Sequence, residues 1–206
     1  MTMNAIIGEI ITILDYSEEK SREGETYYSA YIGGSAIDEM DYFSEKEIPF
    51  VLLSKLGKDM QGETHLDYIT SEYGIEEDDV LYSSSPSPVS IDGTLIIKGT
   101  APSFIKRDEI VGFIEKNDID KIIISSLLLS FDPVRKEIIE ALEREKDKIK
   151  RVVIDAEDPT LIMMLEDLDD SIKRIAKAIP ECYLAGDALT IDGVKRVSSD
   201  MIDSLF

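Results

Sequence analysis

The sequence predicts an α/β protein with a mainly parallel sheet, helices on both faces of it and a small additional β-sheet. Short aliphatic or β-branched runs alternate along the chain with segments of helical periodicity. Some runs are apolar at every position, as at residues 122–124, which is typical of strands buried on both faces of a parallel sheet. Strand, helix, strand repetition of this kind indicates α/β layers joined by right-handed crossovers.

The main-sheet strands are predicted at the apolar runs. In chain order they are Ala5–Leu14, Phe50–Leu56, Lys121–Ser125, Arg151–Asp155 and Cys182–Ala185. The helices are predicted where apolar residues recur at helical spacing. They are Ala36–Lys46, Gln61–Tyr73, Arg107–Asn117, Pro133–Lys146, Thr160–Asp167 and Asp170–Ala178. The second helix has signals at both ends, because Asp59 suits an N-cap and Gly74 suits a C′ position.

Two amphipathic segments do not fit this alternation. Thr26–Ile32 is predicted as a strand, and Val89–Lys98 as strands around a turn near Asp92-Gly93. The two segments could pair with one another as a small side sheet, although a surface hairpin without a ligand role explains the same pattern equally well. The sequence shows no internal repeat, linker or low-complexity tract. We therefore predict one domain over residues 1–206.

The composition excludes several kinds of partner. A chain of 206 residues with 43% hydrophobic residues is long enough to form one sizeable core. It has 22 Lys and Arg against 43 Asp and Glu, which gives a net charge of −21. This charge repels nucleic-acid phosphates and anionic lipid surfaces, so neither is an expected partner. A triphosphate would need a helix N-terminus or bound Mg²⁺ to overcome the same repulsion.

Cysteine usage and the amino-terminal residues indicate the compartment. Cys182 is the single cysteine, so no intrachain disulfide can form and a reducing compartment is indicated. The run Ala5–Leu14 is broken by polar residues and lacks a basic leader, which indicates a buried strand rather than a signal peptide. No run approaches the ~20 apolar residues of a membrane span. We expect a cytoplasmic protein that is not inserted in a membrane.

Three glycine-marked segments carry the strongest functional signal. Gly33-Gly34 stands between a predicted strand and a helix, where glycine permits positive φ and close approach of the backbone to a ligand. Leu56–Gly62 contains the spacing Gly-x-Asp-x-x-Gly, and Ile7-Gly8-Glu9 stands near the amino terminus. In this order the segments resemble the N-terminal part of the ribokinase-type (PfkB) carbohydrate kinases, especially fructokinase-like members.

The resemblance implies a ribokinase-like three-layer sandwich with a small β lid, formed by strands near residues 15–32 and 88–103. It also implies phosphoryl transfer from ATP, with Mg²⁺, to a sugar hydroxyl. In that family the base and the anion hole lie in a C-terminal Gly-Ala-Gly-Asp turn, and no such turn precedes Phe206. We therefore expect the C-terminal part of the fold, with most of the ATP site, to be missing and the chain to be inactive alone.

Four residues are expected to contact the sugar by this resemblance, namely Gly33, Gly34, Asp38 and Asp155. Asp38 stands where the family has an asparagine, so an acceptor is kept and an amide donor is lost. Asp155 ends an apolar strand, at the edge where doubly wound sheets bind ligands. At a third family contact, an aspartate near the amino terminus, this chain has Thr12 and Ile13, and Asp15 is out of register.

The acidic residues that follow this strand have two interpretations. Asp155, Glu157 and Asp158 could coordinate a hard metal ion or accept protons from hydroxyls. However, Asp158-Pro159 has the pattern of an N-cap followed by an N1 proline, which favours a structural role. For Asp59 a structural N-cap is likewise favoured over catalysis.

The other chemically notable residues are isolated. His65 is the sole histidine, so a histidine-rich metal site is excluded and a surface or half-buried helix position is expected. Residues 182–189 match a family segment that holds a lysine and an acidic pair near the nucleotide. Here Tyr183 takes the lysine position and Asp187 is the acidic residue that is kept.

Three functional interpretations are compatible with these residues. The chain is an inactive, shortened sugar-kinase relative, a non-catalytic sugar-binding or regulatory module, or one part of a two-piece kinase. A sheet that ended near Cys182–Leu184 would leave an apolar edge unless Ser198–Phe206 folds over it. A homodimer through that edge or through the lid strands is a further expectation.

Overall fold

Strands and helices alternate along the chain, which a computed structural model describes for residues 3–21, 25–156, 165–186 and 189–206. The strands are β1 Met3–Ile7, β2 Ile11–Tyr16, β3 Tyr28–Gly33, β4 Phe50–Leu53, β5 Lys55–Gly57, β6 Leu81–Ser83, β7 Val89–Ile91, β8 Thr94–Ile96, β9 Ile119–Ser125, β10 Arg151–Asp155, β11 Glu181–Ala185 and β12 Lys195–Val197. The α-helices are α1 Ser35–Glu45, α2 Met60–Tyr73, α3 Arg107–Lys116, α4 Val134–Glu145 and α5 Leu165–Ala178. Within the described ranges, no helix has both the length and the apolar character that crossing a membrane requires.

The main sheet has six strands in the order β12-β11-β10-β9-β1-β4, and every neighbouring pair is parallel. The carboxyl ends of all six strands therefore lie at one edge. The strand order reverses at β1, because the chain adds β4 on one side of it and β9 to β12 on the other. Ligands of such sheets bind outside the carboxyl ends, near the strand where the order reverses.

Helices cover both faces of the main sheet. On one face, α3, α4 and α5 pack against Ile122 and Ile124 of β9. On the opposite face, α1 belongs to the same apolar cluster as Ile123. Successive side chains of a strand point to opposite faces, and these three isoleucines are at most 1% exposed. The three layers confirm the predicted α/β sandwich with its mainly parallel sheet.

Two predicted strands are each divided in the structure. The run Ala5–Leu14 forms β1 in the main sheet and β2 in a second sheet, with the break at residues 8–10. The run Phe50–Leu56 is interrupted at Ser54, and its second part, β5, pairs with β6 in a separate two-stranded ladder. Each break contains a polar residue, Glu9 in the first run and Ser54 in the second.

The second sheet, called the side sheet below, has the strand order β3-β2-β7-β8. β2 pairs with β3 in antiparallel and with β7 in parallel, and β7 and β8 form a hairpin. Asp92 and Gly93 form its turn with φ values of 47° and 75°, as a two-residue hairpin loop requires. Thr26–Ile32 and Val89–Lys98 both contribute strands to this sheet, but they do not pair with one another, because β2 lies between them.

The last strand and the residues after it complete the main sheet. β12 pairs with β11, so the sheet edge carries Lys195 and Arg196 instead of the apolar residues of β11. A short, charged edge is a poor template for pairing with another chain. A 3₁₀ helix, Ser199–Leu205, follows, and the ring of Phe206 lies 5.0 Å from that of Phe43 in α1. The segment thus packs over the sheet face that α1 covers in part.

Candidate functional site

A cavity of about 470 Å³ opens between the carboxyl edge of the main sheet and the side sheet. Strand ends of the main sheet contribute three residues: Glu9 follows β1, Ser125 ends β9 and Asp155 ends β10. The side sheet and α1 contribute most of the remaining wall, with Ile11, Ile13, Ser90, Leu95, Ser35, Asp38, Glu39 and Tyr42. The cavity therefore lies where a parallel sheet of this winding binds a ligand.

Among the described residues, four carboxylates and five hydroxyl groups form the polar part of the wall. Glu9 and Glu39 are 2% and 7% exposed, Asp155 is half-buried and Asp38 is exposed. Among the described residues, no Lys, Arg or His lines the cavity. The wall is accordingly rich in hydrogen-bond acceptors and negatively charged, which suits ligand groups that donate hydrogen bonds.

Glu9 connects the cavity to the N-terminus of α1. Its Oε1 accepts a hydrogen bond of 3.1 Å from the backbone amide of Ser35, the first residue of the helix. The N-cap residue, Gly34, has no side chain to cap the helix, so Glu9 satisfies one of the free amides in its place. Burial raises the pKa of the Glu9 carboxyl, and the nearby Ser125 and Ser35 hydroxyls offset this only in part. Neither hydroxyl bonds to Oε2, which has no hydrogen-bond partner in the described part of the chain.

The two predicted glycines have different roles in the turn. Gly34 lines the cavity with φ at 103°, and a Cβ there would lie 2.7 Å from the carbonyl oxygen of Glu9. Only glycine fits both conditions. Gly33 pairs with Ile11 at the end of β3 and is not part of the cavity wall; its missing Cβ leaves room for the side chain of Ile13.

The two predicted aspartates both reach the cavity. Asp38 comes from the first turn of α1, and Asp155 comes from the end of β10. The structure brings them into one wall with Glu9 and Glu39, although they lie far apart in the sequence. Glu157, Asp158-Pro159 and most of the predicted helix Thr160–Asp167 lie outside the described residues. Among those described, no three acidic, Cys or His side chains are grouped as metal ligands.

The Gly57–Gly62 motif is structural, as predicted. The Asp59 carboxylate accepts the backbone amide of Gly62 at 2.8 Å and so caps α2, and Gly74 ends that helix with φ at 70°. A Cβ at Gly57 would lie 2.6 Å from the backbone nitrogen of Ser87, and one at Gly62 would overlap the carbonyl oxygen of Gly57. The motif therefore holds a close backbone crossing, and it does not line the cavity.

The expected exposure of His65 is wrong, because the residue is 0% exposed. Helix α2 packs between β5 and β2, so this face of the helix is interior. His65 Nε2 lies 2.8 Å from the hydroxyl of Thr12 in β2. Burial lowers the pKa of the imidazole to about 4, and the charge of Asp59 opposes this shift. His65 thus connects the side sheet to α2 as a neutral side chain.

The segment expected near a nucleotide is only partly described. Tyr183 lies in β11 with the cationic groups of Lys195 and Arg151 5.6 and 5.9 Å from its ring centre. Asp187 lies outside the described residues. Cys182 is buried, and burial raises the pKa of its thiol to about 12. This cysteine is therefore an inert core residue.

Sequence reasoning missed two acidic residues of the site, Glu9 and Glu39. Glu9 was named only as part of the segment Ile7-Gly8-Glu9 and was not predicted to line the site. A signal was available, because an acidic residue interrupts an otherwise apolar run at that point. Glu39 carries no comparable signal, since its helix also has acidic residues on its exposed side.

Comparison with known proteins gives matches to structures only. No protein-family model matches the sequence, and no curated protein matches it. The PfkB protein from Polaromonas sp. JS666 matches with a TM-score of 0.71 at 16% identity, over 90% of this chain and 65% of that one. Fructokinase with bound ATP from Xylella fastidiosa matches at 0.73 and 11% identity, over 90% and 61%.

Aminoimidazole riboside kinase from Salmonella enterica, complexed with aminoimidazole riboside and an ATP analogue, matches at 0.68 and 18% identity. The match covers 93% of this chain and 63% of that one. The similarities confirm the fold of the PfkB-family carbohydrate kinases. The chain spans less than two thirds of the length of each of these structures.

Proposed function

We propose that this chain forms the sugar-binding part of a kinase that transfers a phosphoryl group from ATP to a sugar hydroxyl. The observation that carries the proposal is the cavity at the carboxyl edge, covered by a side sheet and lined by carboxylates. The shared fold supports it, since neighbours include a fructokinase with bound ATP and an aminoimidazole riboside kinase.

The wall suits a polyol in both its polar and its apolar parts. Asp38 and Asp155 would accept hydrogen bonds from sugar hydroxyls, and bonds to an ionised acceptor are about twice as strong as neutral ones. Ile11, Ile13 and Leu95 would pack against the C–H surface of the ring. In this proposal the side sheet is the lid over the sugar, and Gly33-Gly34 shapes the turn beside it.

We infer that the described residues alone do not form a complete site for ATP and Mg²⁺. Phosphoryl transfer requires cations or donors around the transferring group. None of the described residues that line the cavity is cationic, and the described residues include no group of three metal ligands. We propose that transfer depends on groups outside these residues, so that the chain binds sugar without turning it over. If the chain binds sugar but shows no turnover even together with a separate polypeptide that supplies the rest of a kinase, a regulatory module is indicated.

Calorimetry with D-fructose, D-ribose and ATP, together with an assay for ADP release, tests this function. We expect one of the sugars to bind, ATP to bind weakly or not at all, and no sugar-dependent release of ADP. Asp155→Ala should weaken sugar binding by about tenfold. Asp147→Ala, an exposed acidic residue just after α4, is the control and should change nothing. Failure of both sugars to bind contradicts the sugar site, whereas ADP release contradicts inactivity.

We also propose that the chain self-associates through the outer face of the side sheet. Tyr16 pairs with Tyr28, and Ile91 and Ile96 share their face by strand register. These four side chains are 38–54% exposed, on the face opposite to the cavity-lining Ile13. Contiguous exposed apolar side chains of this kind mark interaction surfaces.

A further inference from the structure

The charge of the cavity wall limits the class of sugar that fits it. Glu9, Asp38, Glu39 and Asp155 line one cavity, and none of the described cationic residues lines it. A carboxylate or phosphate on the ligand would approach these like charges. The N-terminus of α1, which would otherwise attract an anion, already interacts with Oε1 of Glu9. The wall therefore disfavours sugar acids and sugar phosphates.

Glu9 provides an independent observation that points to a ligand. The residue lines the cavity and is 2% exposed, yet Oε2 has no hydrogen-bond partner among the described residues. A buried polar atom without a partner is unfavourable. A positively charged ligand group would favour the ionised form of Glu9 against the effect of burial on its pKa, and it would donate a hydrogen bond to Oε2.

We propose that the cavity binds a polyol with a primary ammonium group in preference to neutral or acidic sugars of the same size. The inference rests on the proposed sugar-binding function and narrows its substrate class. A hydroxyl has one donor and no charge, whereas an ammonium has three donors and a positive charge. The ammonium binds at the wall formed by Glu9 and the first turn of α1, which carries Asp38. A metal ion is not the expected cation, because the described residues include no group of three ligands for one.

Calorimetry at neutral pH with D-fructose, 1-amino-1-deoxy-D-fructose and 2-keto-D-gluconate tests the preference. These probes differ at the first carbon. It carries a hydroxyl in fructose and an ammonium in the amine, and it is a carboxylate in the acid. We expect the amine to bind about tenfold more tightly than fructose and the acid to bind most weakly. Equal affinity for the amine and fructose would overturn the preference and leave the sugar site intact. Absence of binding by all three would overturn both.

Two variants locate the ammonium. Glu9→Gln keeps an acceptor for the Ser35 amide and removes the ionisable group, so the ratio of amine affinity to fructose affinity should fall by about tenfold. Asp38→Asn, at an exposed position, should reduce the same ratio and provides the test if Glu9→Gln does not fold. Glu45→Gln, exposed at the last residue of α1 and outside the cavity, is the control. An amine-to-fructose ratio that stays at the wild-type value in both folded variants would show the proposal to be wrong.

Discussion

Ser87 donates two hydrogen bonds to the Asp59 carboxylate, from its amide to Oδ2 at 2.7 Å and from its hydroxyl to Oδ1 at 2.8 Å. The same hydroxyl accepts the backbone amide of Gly57. Since Asp59 also caps α2, one side chain fastens the helix to the segment that enters the side sheet at β7. The proposed lid is therefore attached to the core by this motif, just before β7, the strand that contributes Ser90 to the cavity wall.

Removing the Asp59 carboxylate should be clearly destabilising. Asp59→Ala loses the helix cap and both bonds from Ser87, which should lower the free energy of unfolding by about 2–4 kcal/mol. Asp67→Ala, an exposed position in the middle of α2, should change it by less than about 0.5 kcal/mol. Urea denaturation of the two variants measures the difference. Similar midpoints for both would show that the network adds no stability.

Two glycine-to-alanine changes in helices should have opposite effects. Gly62→Ala places a methyl group on the carbonyl oxygen of Gly57, and backbone cannot move aside cheaply, so we expect a loss of about 3 kcal/mol. Gly112→Ala, inside α3 with nothing near its Cβ position, should gain about 0.5–1 kcal/mol. Thermal melts of the pair test this, and destabilisation by Gly112→Ala would contradict the open space beside it.

His65 should make the stability of the protein depend on pH in mildly acidic solution. Burial lowers its pKa from 6.5 to about 4, so between these values the unfolded chain binds a proton that the folded chain does not. The stabilisation is therefore complete above pH 6.5 and is lost as the pH falls, by roughly 3 kcal/mol at pH 4 for this group.

The matched variant for this prediction is His65→Gln, whose amide can reach the Thr12 hydroxyl but does not titrate. Carboxylates contribute their own pH dependence in both proteins. The quantity to compare is therefore the difference in the free energy of unfolding between wild type and variant, measured from pH 7 to pH 4. A difference that stays constant over this range would mean that His65 titrates at its ordinary pKa.

A buried ion pair should be far more sensitive to truncation than an exposed one. The Lys55 ammonium, in β5 and 4% exposed, lies 2.7 Å from both carboxylate oxygens of Glu109 in α3. Glu109→Ala leaves that charge buried with the carbonyl of Phe104 as its remaining partner among the described residues, so we expect a loss of about 3 kcal/mol. Glu115→Ala removes an exposed pair with Lys148 and should cost less than about 1 kcal/mol. Equal losses in urea denaturation would contradict the burial argument.

The proposed self-association predicts a concentration-dependent mass. Ile96→Asp introduces a charge at the outer face of the side sheet, and light scattering should then give the monomer mass at concentrations where the wild type is heavier. Met60→Asp, at a side chain 73% exposed on α2, is the matched control for adding charge at an apolar surface residue. A monomeric wild type at high concentration would contradict the proposal.

The sequence predicts layers and caps well because these depend on local patterns. The apolar run at residues 122–124, the N-cap at Asp59 and the C′ glycine at Gly74 each follow from a few neighbouring residues. Glu9 and Ser54 mark the breaks within Ala5–Leu14 and Phe50–Leu56, but one polar residue in an apolar run does not reveal whether the strand continues past it. Which strands pair in the side sheet depends on contacts between distant segments, and periodicity contains no information about them.

The site was predictable only in part, because contacts between distant segments decide which side chains reach it. Asp38 and Asp155 stand out beside a turn and at a strand end, so their positions in the sequence point to the cavity. The burial of His65 and of Glu39 is decided by what packs against α2 and α1, respectively. The strand Lys195–Val197 was not predicted, because it is short and carries two basic residues.

Only residues 8–10 separate β1 from β2, and Glu9 is at the centre of this crossing. The floor of the cavity and its cover are therefore joined through the same short stretch of backbone that holds the helix-capping carboxylate. A tilt of the side sheet would pull on Glu9 and disturb the start of α1. Replacing the side sheet by one from another protein would therefore require redesign of residues 8–10 together with the acidic residues of the cavity.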